Sequence, residues 1–108
     1  MSECINKSQW KDYFDDMSKV LGDVPVEVEV EGLGIFDKVE VEWLPLKGIT
    51  YDPKDNVVSL MFDKLDHMIE KPYEIEVEKG EGGVKTISFT SEGDGAKTVV
   101  KFKSPVKV

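Results

Sequence analysis

Two stretches of this chain alternate apolar residues with glutamate, position by position. Val26, Val28 and Val30 interleave with Glu27, Glu29 and Glu31, and Tyr73, Ile75 and Val77 interleave with Glu74, Glu76 and Glu78. A helix would scatter these glutamates around its circumference, whereas an extended strand sends successive side chains to opposite faces. The pattern therefore demands strands with one face buried and one charged, the signature of an antiparallel sheet covered on one side. What meets the glutamate face is the first functional question the chain poses.

The remaining segments fit around such a sheet. Val39, Val41 and Trp43 alternate with Lys38, Glu40 and Glu42, predicting a second strand that stops near Pro45. Residues 48–51 form a short third strand, and Asp52-Pro53-Lys54-Asp55-Asn56 has the composition of a turn. Residues 57–62 are almost continuously apolar and read as a central strand. Asp63 then reads as the cap of a short helix over about residues 64–70, with Leu65, Met68 and Ile69 facing inward and Pro72 beyond its end. Strands follow at 73–78, around Val84, Ile87 and Phe89, and at 98–102, separated by glycine-rich turns at 80–83 and 92–95.

One longer helix opens the fold. Trp10, Phe14, Met17 and Leu21 make an apolar stripe at helical spacing, Asp12, Asp15, Asp16 and Lys19 form its wet side, Ser8 is placed as N-cap and Gly22 as C-cap. The expected fold class is α+β in a single domain, residues 1–108: this amphipathic helix and the short one pack on a twisted, mostly antiparallel sheet of about six or seven strands. A sheet of that size can curl into a partly open barrel. Residues 1–7 and 104–108 are expected to fray.

Charge narrows the function. The chain carries 22 acidic residues against 14 basic, and every basic residue is lysine. Without arginine's planar fork, and at a net charge of −8, a phosphate backbone or an anionic bilayer is repelled rather than gripped. Neither nucleic acid nor membrane is an expected partner. No stretch has the length of a membrane span or the layout of a signal peptide. The single cysteine, Cys4, excludes an internal disulfide and a cysteine-based zinc site, and suits a reducing cytoplasm.

Catalytic signals are sparse. His67 is the one histidine, so any histidine-dependent nucleophile has a single candidate base. Gly32-Leu33-Gly34 lacks a third glycine, and Gly80-Glu81-Gly82-Gly83 carries an acid that would repel phosphate. Both read as turns. Asp52, Asp55 and Asn56 resemble part of a calcium loop in composition but not in spacing, and an aspartate-initiated proline turn is the better reading. Asp63, Asp66 and His67 could offer metal or proton-transfer ligands, or merely cap a helix. No metal or cofactor is implied.

If the strands at 26–31 and 39–43 form a hairpin with Trp43 and the valines inward, Glu27, Glu29, Glu31, Glu40 and Glu42 share the outer face. Like charges placed opposite one another are destabilising. Either lysines from a neighbouring strand relieve them, the last strand with its Lys97, Lys101 and Lys103 being the natural source, or a basic partner does. Lys85, Lys97, Lys101 and Lys103 are likewise the expected neighbours of Glu74, Glu76 and Glu78.

Trp43-Leu44-Pro45-Leu46, Gly48 through Asp55, and Leu65-Asp66-His67-Met68-Ile69 with Pro72, together with Trp10 and Tyr13-Phe14, resemble a family of small bacterial proteins classified only as a domain of unknown function. That resemblance implies no activity. The leading expectation is a non-enzymatic protein-binding module using the acidic face of Glu27, Glu29, Glu31, Glu40 and Glu42 against a basic protein partner. One alternative is a small metal-dependent or acid/base enzyme built on Asp52, Asp55, Asp63, Asp66 and His67. Another is a self-associating structural domain joined through an open sheet edge.

Overall fold

The computed structural model describes residues 2–32, 35–92 and 95–108, with the backbone alone for 35–41. The alternating segments become strands: β1 (Ser2–Cys4), β2 (Pro25–Gly32), β3 (Ile35–Pro45), β4 (Gly48–Asp52), β5 (Val57–Met61), β6 (Asp66–Glu70), β7 (Pro72–Gly80), β8 (Gly83–Ser91) and β9 (Lys97–Val106). One helix, α1 (Trp10–Val20), follows a short 3-10 turn at Lys7–Gln9. The strands form two sheets, a larger one in the order β1-β7-β8-β9-β2-β3 and a smaller one in the order β4-β5-β6. Every described pairing is antiparallel. The larger sheet ends at β1 and β3 and does not close into a barrel.

The core lies between the sheets. Val26, Val28, Ile75, Val77, Ile87, Phe89 and Val100 of the larger sheet are fully buried, as are Ile49, Val58 and Leu60 of the smaller one. The α1 stripe joins them: Phe14 packs on Phe89 with ring centroids 5.9 Å apart, and Trp10 meets Tyr51 edge-on at 5.1 Å. The Trp10 indole N–H donates to the Ile5 carbonyl at 2.9 Å, so the buried ring keeps its polar atom satisfied. Ser18 fastens α1 to the outer edge of β4: its hydroxyl donates to the Ile49 carbonyl at 2.7 Å and accepts from the Ile49 N–H at 3.0 Å. The β7–β8 hairpin depends on Gly83, whose φ is +135° and where a Cβ would collide with the Val106 carbonyl.

Several sequence expectations change. Residues 66–70 are strand, not helix. Asp66, Met68 and Glu70 point away from the core and Ile69 into it, a period of two, and pairing with β5 gives their backbone a ladder that a single helical turn could not supply. Asp63 sits in the β5–β6 turn rather than at a helix cap, so the fold is sheet-rich with one helix among the described residues. Ser8 lies within the 3-10 turn, where Asn6 accepts its N–H; Asn6 is the capping side chain. Gly22 does take the left-handed conformation after the helix, at φ +57°.

Trp43 does not join the inner face. It is 41% exposed at φ +51°, beside a register shift between the Val26–Leu44 and Val28–Val41 pairs. A bulge there turns the indole outward, where Lys103 lies 6.0 Å from the ring centre. Tyr73 is likewise exposed, next to a shift between Pro72 and Glu74. The chain ends are ordered into the sheet: β1 pairs with β7, and β9 continues to Val106, which is buried opposite Val84.

Candidate functional site

The strand order decides what meets each run of glutamates. β9 lies beside β2, with Lys101 opposite Glu27 and Lys97 opposite Glu31. The Lys101 ammonium stands 3.7 Å from Glu27 and 3.6 Å from Glu29, whose side chains are only 19% and 20% exposed. The lysine-bearing last strand thus neighbours Glu27, Glu29 and Glu31, the internal arrangement that the alternating pattern allowed. Glu42 is exposed on β3, and the side chain of Glu40 lies outside the described residues.

The second run fares differently. Across β8, Glu74, Glu76 and Glu78 face Thr90, Ser88 and Thr86. On the other side, β1 sets Cys4 opposite Glu76 and Ser2 opposite Glu78. No lysine pairs directly with Glu74 or Glu76; of the expected lysine neighbours, Lys85 alone reaches this row, from the bulge between the Glu78–Thr86 and Lys79–Val84 pairs, with its side chain over Gly80 beside Glu78. The outer face of the larger sheet therefore carries two glutamate rows separated by hydroxyl residues and β9, and only the β2 row has lysines directly across from it.

The second candidate set is split. Asp52 opens the β4–β5 turn, accepting the N–H groups of Lys54 at 2.9 Å and Asp55 at 3.4 Å, which is the turn-forming role open to it. Asp63 and Asp66 lie at the opposite end of β5, about 13 Å away at the usual rise of a strand. His67 faces the inner side of the smaller sheet, opposite Leu60, while Asp66 is on the other face. The structure does not bring Asp52, Asp55, Asp63, Asp66 and His67 together, and no group of three or more His, Cys, Asp or Glu that could hold a metal ion occurs among the described residues.

His67 instead lines a cavity of about 520 Å³ between β6 and the end of the larger sheet. His67 to Lys71 form one wall; Val30, Ser91, Ala96 and Thr98 stand in the other. Sequence reasoning missed this groove because it assigned residues 64–70 to a helix; the alternation of Asp66, Met68 and Glu70 with His67 and Ile69 was the available signal. A second, more apolar cleft of about 420 Å³ lies among Leu44, Pro45, Phe62 and Leu65. Tyr13 is the remaining polar feature. Its hydroxyl is buried without a hydrogen-bond partner among the described residues, and burial pushes its pKa up, partly offset by the nearby Lys79 ammonium.

No helix among the described residues is long and apolar enough to cross a membrane. A family model described as "Family of unknown function (DUF5335)" matches residues 1–108. An uncharacterized protein of Aquifex aeolicus (strain VF5) is 41% identical over 106 residues, covering 97% of this chain and 95% of the relative. No solved structure matches. With the family model spanning its full length, the chain belongs to this family of unknown function, DUF5335.

Proposed function

We propose that this chain is a non-enzymatic module that binds a basic protein partner through the outer face of its larger sheet. One observation carries the reading: Glu74, Glu76 and Glu78 pair with Thr90, Ser88 and Thr86, with Lys85 reaching only the Glu78 end of the row, while the equivalent row on β2 is met by Lys97 and Lys101. Exposed acidic rows attract a basic surface over a Debye length and speed its docking, while contributing modest affinity per pair. Of the acidic face Glu27, Glu29, Glu31, Glu40 and Glu42, Glu27 and Glu29 are engaged by Lys101 and Glu31 lies opposite Lys97, so the proposed contact centres on β7. A reducing cytoplasm is the setting the proposal assumes, since Cys4 is exposed and unpaired.

The test is capture from native lysate at low salt, comparing the parent chain with a Glu74→Lys, Glu78→Lys variant. Both positions are exposed, so neither substitution buries a charge, and circular dichroism checks that the variant keeps the fold. A stoichiometric protein released from the parent by moderate salt and not captured by the variant supports the reading. Equal capture by both chains removes it.

A further inference from the structure

The smaller sheet has two edges, and the fold treats them differently. At β4, Ser18 of α1 takes both the N–H and the carbonyl of Ile49, closing that edge. At β6, no described strand pairs on the outer side.

Which backbone groups the open edge presents follows from two hydrogen bonds. The Phe62 N–H donates to the Leu65 carbonyl at 2.9 Å, and the Lys71 N–H donates to the Asn56 carbonyl at 3.0 Å. The register between these points is unbroken. In an antiparallel pair, alternate residues turn their N–H and C=O toward the partner strand. Leu65, His67, Ile69 and Lys71 therefore turn toward β5, and Asp66, Met68 and Glu70 turn their N–H and C=O groups outward. The cavity of about 520 Å³ runs along this edge, with Val30, Ala96 and Thr98 in its far wall.

We propose that this edge binds an extended basic peptide segment, which adds to the smaller sheet as a fourth, antiparallel strand. Strand addition satisfies the outward backbone groups of Asp66, Met68 and Glu70 through main-chain hydrogen bonds, while side-chain positions on the two faces set specificity. On the outer face, the incoming strand places residues opposite Asp66, Met68 and Glu70. These are two exposed carboxylates flanking a methionine that is 53% exposed. The complementary pattern is basic, any, apolar, any, basic. The intervening residues point into the cavity, where Val30, Ile69 and Ala96 stand beside Ser91, Glu92 and Thr98 in a lining of mixed polarity that admits small side chains.

The same charges argue against a second copy as occupant. Two β6 edges paired antiparallel about Met68 would set Asp66 against Glu70 twice, like charge on like charge. Lysine or arginine in a different chain removes that conflict. The inference uses observations independent of the β7 glutamate row and survives if that reading fails.

The probe is the capped peptide Gly-Thr-Lys-Val-Leu-Val-Lys-Thr-Gly, titrated into the full chain at low salt and followed by amide NMR. In the proposed register its Leu N–H points at β6 and the neighbouring Val N–H groups point away. Methylating the Leu nitrogen should weaken binding by about tenfold or more, since it removes a strand hydrogen bond and adds a clash, while methylating a Val nitrogen leaves affinity unchanged. An Asp66→Lys, Glu70→Lys variant, altered only at exposed positions, should also lose about tenfold. On binding, the amides of Asp66, Met68 and Glu70 should become protected from exchange. Equal affinity of the Leu-methylated peptide, no binding at millimolar peptide, or a chain that dimerises through this edge would each overturn the proposal.

Discussion

Replacing Ser18 with alanine tests the closure of the β4 edge directly. The hydroxyl makes two hydrogen bonds to one residue, donating to the Ile49 carbonyl at 2.7 Å and accepting from its N–H at 3.0 Å. Each such bond contributes about 1 kcal/mol net, and leaving a partly buried N–H without a partner costs about 1–3 kcal/mol. Alanine recovers about 0.5 kcal/mol in helix propensity. The expected net loss is about 2 kcal/mol, a shift of about 1 M in the urea midpoint at an ordinary denaturant slope. Urea unfolding followed by tryptophan fluorescence reads it, because Trp10 is buried in the same core. Hydrogen exchange adds a local readout: the Ile49 amide should exchange faster in the variant, while amides in β8 change only by the global loss. A Ser18→Ala chain as stable as the parent, with Ile49 still protected, would refute the claim that the serine holds the sheet edge.

Tyr13→Phe removes a buried hydroxyl that has no partner among the described residues, and should raise stability by about 1 kcal/mol in urea unfolding. Burial raises the pKa values of Tyr13 and Tyr51 above the ordinary 10.0, so on the alkaline side the unfolded tyrosines lose their protons first and stability falls as pH rises through and beyond that value; melting curves should show a shallower fall for Tyr13→Phe. Val106→Ala should cost about 2 kcal/mol by thermal or urea unfolding, since the side chain is buried opposite Val84; a frayed tail would make the substitution silent. Lys101→Met leaves Glu27 and Glu29 without their shared cation and should cost about 1 kcal/mol in dilute buffer, a deficit that shrinks when urea unfolding is repeated in high salt.

Much of the architecture is legible in local pattern. The stripe of Trp10, Phe14 and Met17 becomes the buried face of α1, and the alternating runs become β2 and β7 with Val26, Val28, Ile75 and Val77 inward, Tyr73 being the exception. The central position of β5 in its sheet follows from its continuous apolar run. The misses have physical causes. Leu65, Met68 and Ile69 fit a helical turn by spacing, yet His67 and Ile69 fit a strand equally, and a segment this short is settled by what it pairs with. Leu60 and Val58 of β5 supplied that partner. Trp43 alternates correctly in sequence and still faces out, because one left-handed residue in a bulge resets the period without leaving a mark in composition. The candidate sites were less legible than the fold, since each depended on which segments become neighbours across tens of residues.

The two glutamate runs make that dependence concrete. Glu27-Val28-Glu29 and Glu74-Ile75-Glu76 are near-equivalent as sequence, and each builds a half-buried strand. Pairing separates them. β9 brings Lys97 and Lys101 against β2, whereas β8 brings Thr86, Ser88 and Thr90 against β7. The first run is thereby compensated within the chain, and the cost of its like charges is relieved by folding itself. The second keeps its field for solvent or for another molecule. A charge pattern acquires meaning for binding only after the sheet order has assigned its internal partners. By that criterion the carboxylates of β7 and of the outward edge of β6, rather than those of β2, are the ones to reverse in testing the two proposals.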